Sequence, residues 1–290
     1  MLVLYTDTDT DITPKLAAEY GYKHLISMPY SVDGQTVYPY EDSDEFDFHA
    51  FYDTLRAGAL PTTSAISELK YEEYFEPEFA AGNDILYVHF SRAMTATFDA
   101  MDKAVERLKA KYPERKFYEV DTMGITICSF NLCLEIGDLY KAGKTAEEIV
   151  AWANEEVLHF GTYFIADDLK FFRRSGRVSG LKATMGTLLG VRPLIYMSPE
   201  GKMVSLDSVR GRRKAIERLA DLITERGENV EQHRVIIGNT DSPELVAEMR
   251  EVLKERFGDT LNLVEVVTNP TAGSHCGPNG LGLSFRVSSR

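Results

Sequence analysis

The chain has 290 residues, 44% of them hydrophobic and 27% charged, enough for one large domain or two ordinary ones and typical of a globular protein. No apolar run approaches the ~18 residues that a membrane-spanning helix needs, and the first residues enter a strand pattern with no basic stretch before it, so a cytoplasmic protein is expected. Of the 45 acidic side chains 18 fall in the first 100 residues, against 5 of the 32 basic ones, leaving 27 of each beyond; an acidic first third disfavours nucleic acid and anionic membrane as partners of that surface.

Along the first half, strand patterns over 2–6, 24–32, 85–91 and 116–121 are interleaved with or followed by helix patterns over 15–20, 46–57, 68–79, 95–111, 125–140 and 146–160. Thr145 and Glu148 carry the spacing of a capping box at the start of the last helix. Alternating strands and helices build βαβ units around a mostly parallel sheet. After residue 160 the pattern changes. Strands are expected over 162–166, 192–197, 203–206, 235–238, 263–267 and 281–287, with Pro199-Glu200-Gly201 as a hairpin turn and long helices over 212–225 and 243–257. The chain therefore reads as an α/β fold in two parts, an α/β domain over 1–160 and an α+β domain over 161–290, with no internal repeat or flexible linker.

Several short motifs carry possible chemistry. Three acids at alternate positions, Asp7, Asp9 and Asp11, follow the first strand; the spacing of a calcium loop fails, and capping of the next helix is the favoured reading. Two hydroxyl clusters, Thr62-Thr63-Ser64 through Ser67 and Ser91 through Thr95 and Thr97, each stand before a helix. In parallel sheets that edge binds ligands, and helix N-terminal amides attract anions. Together the clusters suit a carboxylate; there is no phosphate-binding G-x-x-x-x-G-K-[ST] run, and ordinary capping remains the alternative for each. Lys170, Arg173, Arg174 and Arg177 face one acid, Asp168, in a basic stretch that reads as a local docking surface or a solvated face. The run 181–190 has the pattern of a small-residue apolar helix.

The segment from Asn269 to Phe285 packs one histidine among glycines, Gly273-Ser274-His275-Cys276-Gly277. A glycine-rich turn bearing a histidine and running into an apolar strand reads as a site, or as a hairpin with a satisfied histidine. Cys276 beside it is a candidate thiol nucleophile that nothing local specifies. Cys128, Cys133 and Cys276 form no C-x-x-C pair, which argues against a disulfide framework. No metal is expected, since no metal-ligand spacing occurs.

Taken in order along nearly the whole chain, these motifs resemble the DegV family of bacterial fatty-acid-binding proteins. The resemblance is carried by Thr6-Asp7, Thr62-Thr63-Ser64 through Ser67, Ser91 through Thr97, Val120-Asp121-Thr122, Asp168 through Arg177, and Gly273 through Pro278. It implies two domains with a long-chain fatty acid between them and no other cofactor. By the same resemblance the carboxylate is held by Thr63 and Thr95 with His275 close by, and Ser64, Thr97, Gly273 and Ser274 belong to the same loops. It further implies a lipid-binding subunit without its own ATP site. A separate ATP-binding kinase subunit then docks on Arg173, Arg174 and Arg177 and converts the carboxylate to an acyl phosphate. The chain departs from the family pattern at Ala65-Ile66, at Thr95-Ala96, and at Cys276 and Asn279. Two other classes remain open: a self-sufficient transferase or hydrolase using His275, and a non-catalytic regulatory module.

Overall fold

The computed structural model describes residues 1–167, 169–179 and 190–290. Asp168 and the small-residue pattern over 181–189 lie outside the described residues.

In chain order the elements are β1 (Leu2–Asp7), α1 (Pro14–Tyr20), β2 (Tyr22–Ile26), β3 (Tyr30–Val32), β4 (Gln35–Val37), α2 (Phe48–Arg56), β5 (Thr62–Thr63), α3 (Glu68–Ala80), β6 (Asp84–His89), α4 (Thr97–Lys111), β7 (Phe117–Asp121), α5 (Ile127–Lys141) and α6 (Ala146–Glu156). There follow β8 (Phe160–Ile165), α7 (Lys170–Ser175), β9 (Val178–Ser179), β10 (Val191–Met197), β11 (Met203–Arg210), α8 (Arg212–Arg226), β12 (Arg234–Asn239), α9 (Pro243–Phe257), β13 (Asn262–Val267), α10 (Pro270–Cys276) and β14 (Leu281–Arg286).

The first sheet is parallel, in the order β2-β1-β6-β7. Its inner strands β1 and β6 are buried along almost their whole length, as strands covered on both faces must be. Helices start where local chemistry satisfies the free amides: Thr13 accepts from Leu16 N at α1, Ser67 from Lys70 N at α3, and Thr145 with Glu148 forms the expected capping box at α6. The second sheet is mixed, ordered β13-β12-β14-β8-β10-β11-β9. Its β10–β11 hairpin turns at Gly201, which takes φ +71 and lies so close to Ser91 that an added Cβ would sit 2.3 Å from its Oγ.

Two expectations are corrected. The strand expected over 24–32 is broken into β2 and β3, because Met28 N turns aside to Thr8 Oγ1 and Pro29 has no amide to offer a ladder. β3 instead forms a small antiparallel sheet with β4 and β5. The glycine-rich turn expected around His275 is the helix α10: Asn269 accepts from Ala272 N, Pro270 occupies the first turn, and Gly277 at φ +75 ends it.

Helix α5 joins the two sheets. Ile127, Phe130, Cys133 and Ile136 share one buried cluster with Leu4 and Leu86 of the first sheet and with Ile236 and Val266 of the second. Its first residue, Ile127, sits on the directly paired glycines Gly238 and Gly282; a Cβ at Gly238 would lie 2.2 Å from Ile127 Cγ2. Paired glycines remove two side chains from the sheet face and let the helix end come down onto it.

Candidate functional site

A cavity of about 280 Å³ opens where the two sheets meet. From the first sheet it receives the loops after β1, β6 and β7, which leave the carboxyl ends of parallel strands, the edge at which ligands bind in such sheets. From the second sheet it receives the faces of β8, β12 and β14, the hairpin residues Met197 and Met203, and α10. Phe90, Ile125, Phe164, Phe172, Met197 and Leu281 give most of its wall an apolar character.

The two hydroxyl clusters and the histidine all contribute to the lining of this cavity, and the clusters are joined where Ile66 N donates to Thr97 Oγ1. Thr63, on β5, and His275, on the last turn of α10, stand 212 residues apart in sequence, yet Thr63 Oγ1 and His275 Nε2 are 2.8 Å apart. Thr95 Oγ1 accepts from Thr97 N at 3.1 Å, which leaves its own proton uncommitted. Burial lowers the pKa of His275 to about 4, with the charges of Arg177 and Arg174 acting in the same direction, so the imidazole is neutral at pH 7. With its proton on Nε2, His275 donates to Thr63 and frees the Thr63 hydroxyl to donate in turn. The edge thus offers neutral O–H donors under a positive surround.

The remaining expected site residues divide. Ser64 lines the cavity and is exposed at its mouth. Thr97 also lines it, but its Oγ1 accepts from Ile66 N at 2.9 Å and pairs with Tyr71 Oη, which makes it a fastening of the loop before α3. Gly273 and Ser274 stand behind the wall. A Cβ at Gly273 would lie 2.6 Å from Tyr52 Oη, and Ser274 Oγ donates to Pro270 O within its own helix. Arg173 and Arg177 are exposed, and Arg177 lines the mouth. Arg174 is occupied otherwise, donating to the carbonyls of Leu60 at 2.5 Å and of Pro61, just ahead of the strand that carries Thr63.

Cys276 lines the cavity, and burial together with the nearby carboxylates Asp11 and Asp9 pushes its thiol up to about 12, so no thiolate nucleophile stands there at neutral pH. The acids after β1 are more than caps. Asp7 Oδ1 accepts from Asp9 N, and Asp11 Oδ1 accepts from Asn269 N and Nδ2, tying this loop to the start of α10. Asp9, however, lines the cavity. All three are buried: burial first, then the neighbouring Asp9, raises Asp7 to about 7; burial and then Asp11 raise Asp9 to about 8; burial raises Asp11 to about 7. Only the regular spacing of these acids hinted at them. Nothing in the sequence marked Thr126 or Thr162, which also line the cavity.

Elsewhere among the described residues, His49, Asp53 and Asp241 bring ligand atoms within 4.8 Å of one another. Arg56 donates to Asp53 at 2.8 Å and to Asp241 at 2.6 Å, so a cation is already built into this group. Among the described residues no helix is long and apolar enough to cross a membrane.

The model of the DegV family, a family described as uncharacterised, matches residues 1–287. A DegV domain-containing protein of Clostridium perfringens is 28% identical over 283 residues, covering 98% of this chain and 96% of its own length. The fold is shared with a fatty-acid-binding DegV family protein of Thermus thermophilus (TM-score 0.84, 21% identity, 99% of both chains). It is shared also with a Ruminococcus gnavus protein bearing vaccenic acid (0.82, 19%, 98% and 99%) and a Eubacterium eligens protein loaded with heptadecanoic acid (0.83, 18%, 99% and 100%). This chain belongs to the DegV family.

Proposed function

We propose that this protein binds a long-chain fatty acid, tail in the cavity and carboxylate at the Thr63, Thr95 and His275 edge, and presents it to a separate ATP-dependent kinase subunit. The observation that carries the reading is the state of the two threonines. Thr95 accepts from Thr97 N and keeps its own proton to donate, and Thr63 does the same when the neutral imidazole of His275 carries its proton on Nε2. Such a pair suits an anion with lone pairs on two oxygens. The fatty acids bound to proteins of the same fold supply the ligand class.

The chemistry is coherent with that placement. Each buried methylene contributes about 0.8 kcal/mol, which favours holding a long chain in the apolar wall. The carboxylate needs donors once it leaves water. Neutral hydroxyls satisfy it while leaving its oxygen nucleophilic. In the transfer that oxygen attacks the terminal phosphorus of ATP, the bond from phosphorus to ADP breaks, and an acyl phosphate forms. Arg177 at the mouth and the exposed Arg173 offer cations to the transferred group and to the partner's surface. Arg174 holds the strand that bears Thr63.

Native mass spectrometry of the purified protein should show the added mass of one long-chain fatty acid, lost on denaturation. With a cognate ATP-binding subunit present, ATP should be consumed and acyl phosphate formed, and Arg173→Ala, at an exposed position outside the cavity lining, should slow this while fatty-acid binding stays nearly unchanged. A protein that carries no lipid and takes up neither oleate nor palmitate would sink the reading; loss of lipid binding in Arg173→Ala would show that this residue serves the pocket and not the partner.

A further inference from the structure

Four of the nine methionines of the chain, Met28, Met94, Met197 and Met203, line the cavity. The described lining takes 32 of the 290 residues, so an even spread would place one methionine there. Three of the four stand together. Met197 and Met203 are directly paired across the β10–β11 hairpin and share a buried cluster with Phe172. Met94, on the turn after β6, packs against that cluster, as do Phe164 and Cys276. All six residues line the cavity, so one packed cluster drawn from both sheets forms an apolar part of its wall.

The backbone that carries this trio is pinned. At the hairpin tip Ser198 N donates to Lys202 O at 2.8 Å and Gly201 N to Ser198 O at 3.0 Å. Gly201 lies against Ser91 and Met123, from the loops of the first sheet, and an added Cβ would stand 3.3 Å from Met123 Cα. Ser91 N donates to Gly124 O at 2.7 Å, and Met94 N to Ser91 O at 3.2 Å. A wall whose strands and turns are fixed in this way changes shape through its side chains. Methionine serves that purpose best: it is unbranched, turns about three side-chain bonds, and fills irregular space with a polarizable thioether.

We infer that Met94, Met197 and Met203 set the chain specificity of the cavity, so that it takes bent and methyl-branched acyl chains about as readily as straight ones. This rests on the fatty-acid reading above and defines its substrate class. A rigid apolar pocket separates ligands that differ by one methylene by about 10- to 200-fold, because the poorer ligand leaves a gap or forces strain. Side chains that re-pack remove most of that difference. A thioether arm follows the outline of the tail, whether the tail turns at a cis double bond or widens at a methyl branch, as the methionine-rich surfaces of promiscuous binders do. The carboxylate end is the same in every such acid, so its hydrogen bonds do not alter the comparison.

The test measures binding to delipidated protein of two pairs of acids: stearate against oleate, and pentadecanoate against its branched isomer 12-methyltetradecanoate. The wild-type protein should hold the members of each pair within about threefold of one another, below the range of a rigid pocket. Met197→Leu with Met203→Leu conserves volume, a change that cores tolerate, and replaces two adaptable arms by shorter, branched ones. The bent and the branched acid should then fall about tenfold or more behind their straight partners. Met94→Leu, on a partly exposed turn, should move both ratios in the same direction, and decides the matter if the double variant does not fold. The inference is overturned if the wild-type protein separates either pair by more than about threefold, or if the ratios keep their wild-type values in folded leucine variants. Failure of all four acids to bind is a different result, which removes the fatty-acid reading itself.

Discussion

The mouth and the inner wall of the cavity treat polar groups in opposite ways. At the mouth, Thr95 accepts from Thr97 N, and Thr63 shares a hydrogen bond with His275 Nε2 that it accepts when the imidazole proton sits on that nitrogen. Among the same lining residues, Asp9 Oδ1 and Thr162 Oγ1 are closed off from the cavity and have no hydrogen-bond partner among the described residues. The difference teaches how to read a hydroxyl or a carboxyl in a cavity. A hydroxyl already accepting is set to donate, which suits an anion; a buried oxygen closed off from the cavity selects nothing there. Both statements concern hydrogen-bond directionality and access more than residue type.

The contrast can be broken most directly at the mouth. Thr63→Val and Thr95→Val keep shape and remove one donor each to a charged group. A hydrogen bond to a charge is worth about 1.5–3 kcal/mol, so each variant should lose roughly ten- to a hundredfold in fatty-acid affinity, measured by titration calorimetry. A fatty alcohol of equal length should be far less affected. Equal loss for acid and alcohol would mean that the threonines shape the mouth without meeting a charge.

A second intervention spares the mouth and disturbs the inner wall. Gly238→Ala places a methyl against Ile127, at a point where the geometry leaves 2.2 Å. Overpacking of this kind costs about 1–3 kcal/mol, so Tm should fall and lipid uptake should weaken, with Ile127→Ala in the same chain restoring part of the stability. Unchanged Tm would show that the α5 end shifts on the sheet at little cost.

The acids sharpen the comparison through pH. Asp7, Asp9 and Asp11 have folded values near 7, 8 and 7, above the ~3.9 of an unfolded aspartate. The folded state therefore holds more protons than the unfolded state between those limits. The stability they contribute is present below about pH 4 and is lost as pH rises through about 7 to 8. Thermal unfolding should give a lower Tm at about pH 8 than at about pH 6.5, and Asp9→Asn should flatten that slope. A slope unchanged by Asp9→Asn would mean that Asp9 does not titrate in this window.

The smallest expected effect is at His275, whose folded pKa is lowered to about 4 from the ordinary ~6.5. Here the unfolded state binds the extra proton, so stability is gained as pH rises from about 4 to about 6.5. Relative to His275→Gln, the wild-type protein should gain in chemical denaturation midpoint across that interval. A difference that stays constant with pH would leave the histidine either protonated or unperturbed.

Much of this arrangement was legible in residues read one segment at a time. The alternation of strands and helices over the first 121 residues identified the parallel sheet, and Thr145 with Glu148 marked the start of α6, because periodicity and capping are short-range properties. The two hydroxyl clusters were visible as clusters, and their places before α3 and α4 followed from the same local signals. The helix around His275 was not visible, since the glycines that suggested a turn are there for space: Gly273 leaves room for Tyr52, from a helix more than 200 residues earlier.

What the sequence by itself determined was the run of the longer strands and helices, the membership of the family, and the residue types gathered at the mouth. Only the tertiary structure decided which of them point at a ligand. It paired Thr63 with His275, spent Thr97 on Ile66, turned Arg174 toward the carbonyls of Leu60 and Pro61, and moved Asp9 from a capping loop into a cavity wall. The reason is physical: helix and strand preferences are settled within a few neighbouring residues, whereas burial, hydrogen-bond direction and the pKa of a carboxyl are settled by whatever the rest of the chain brings against them.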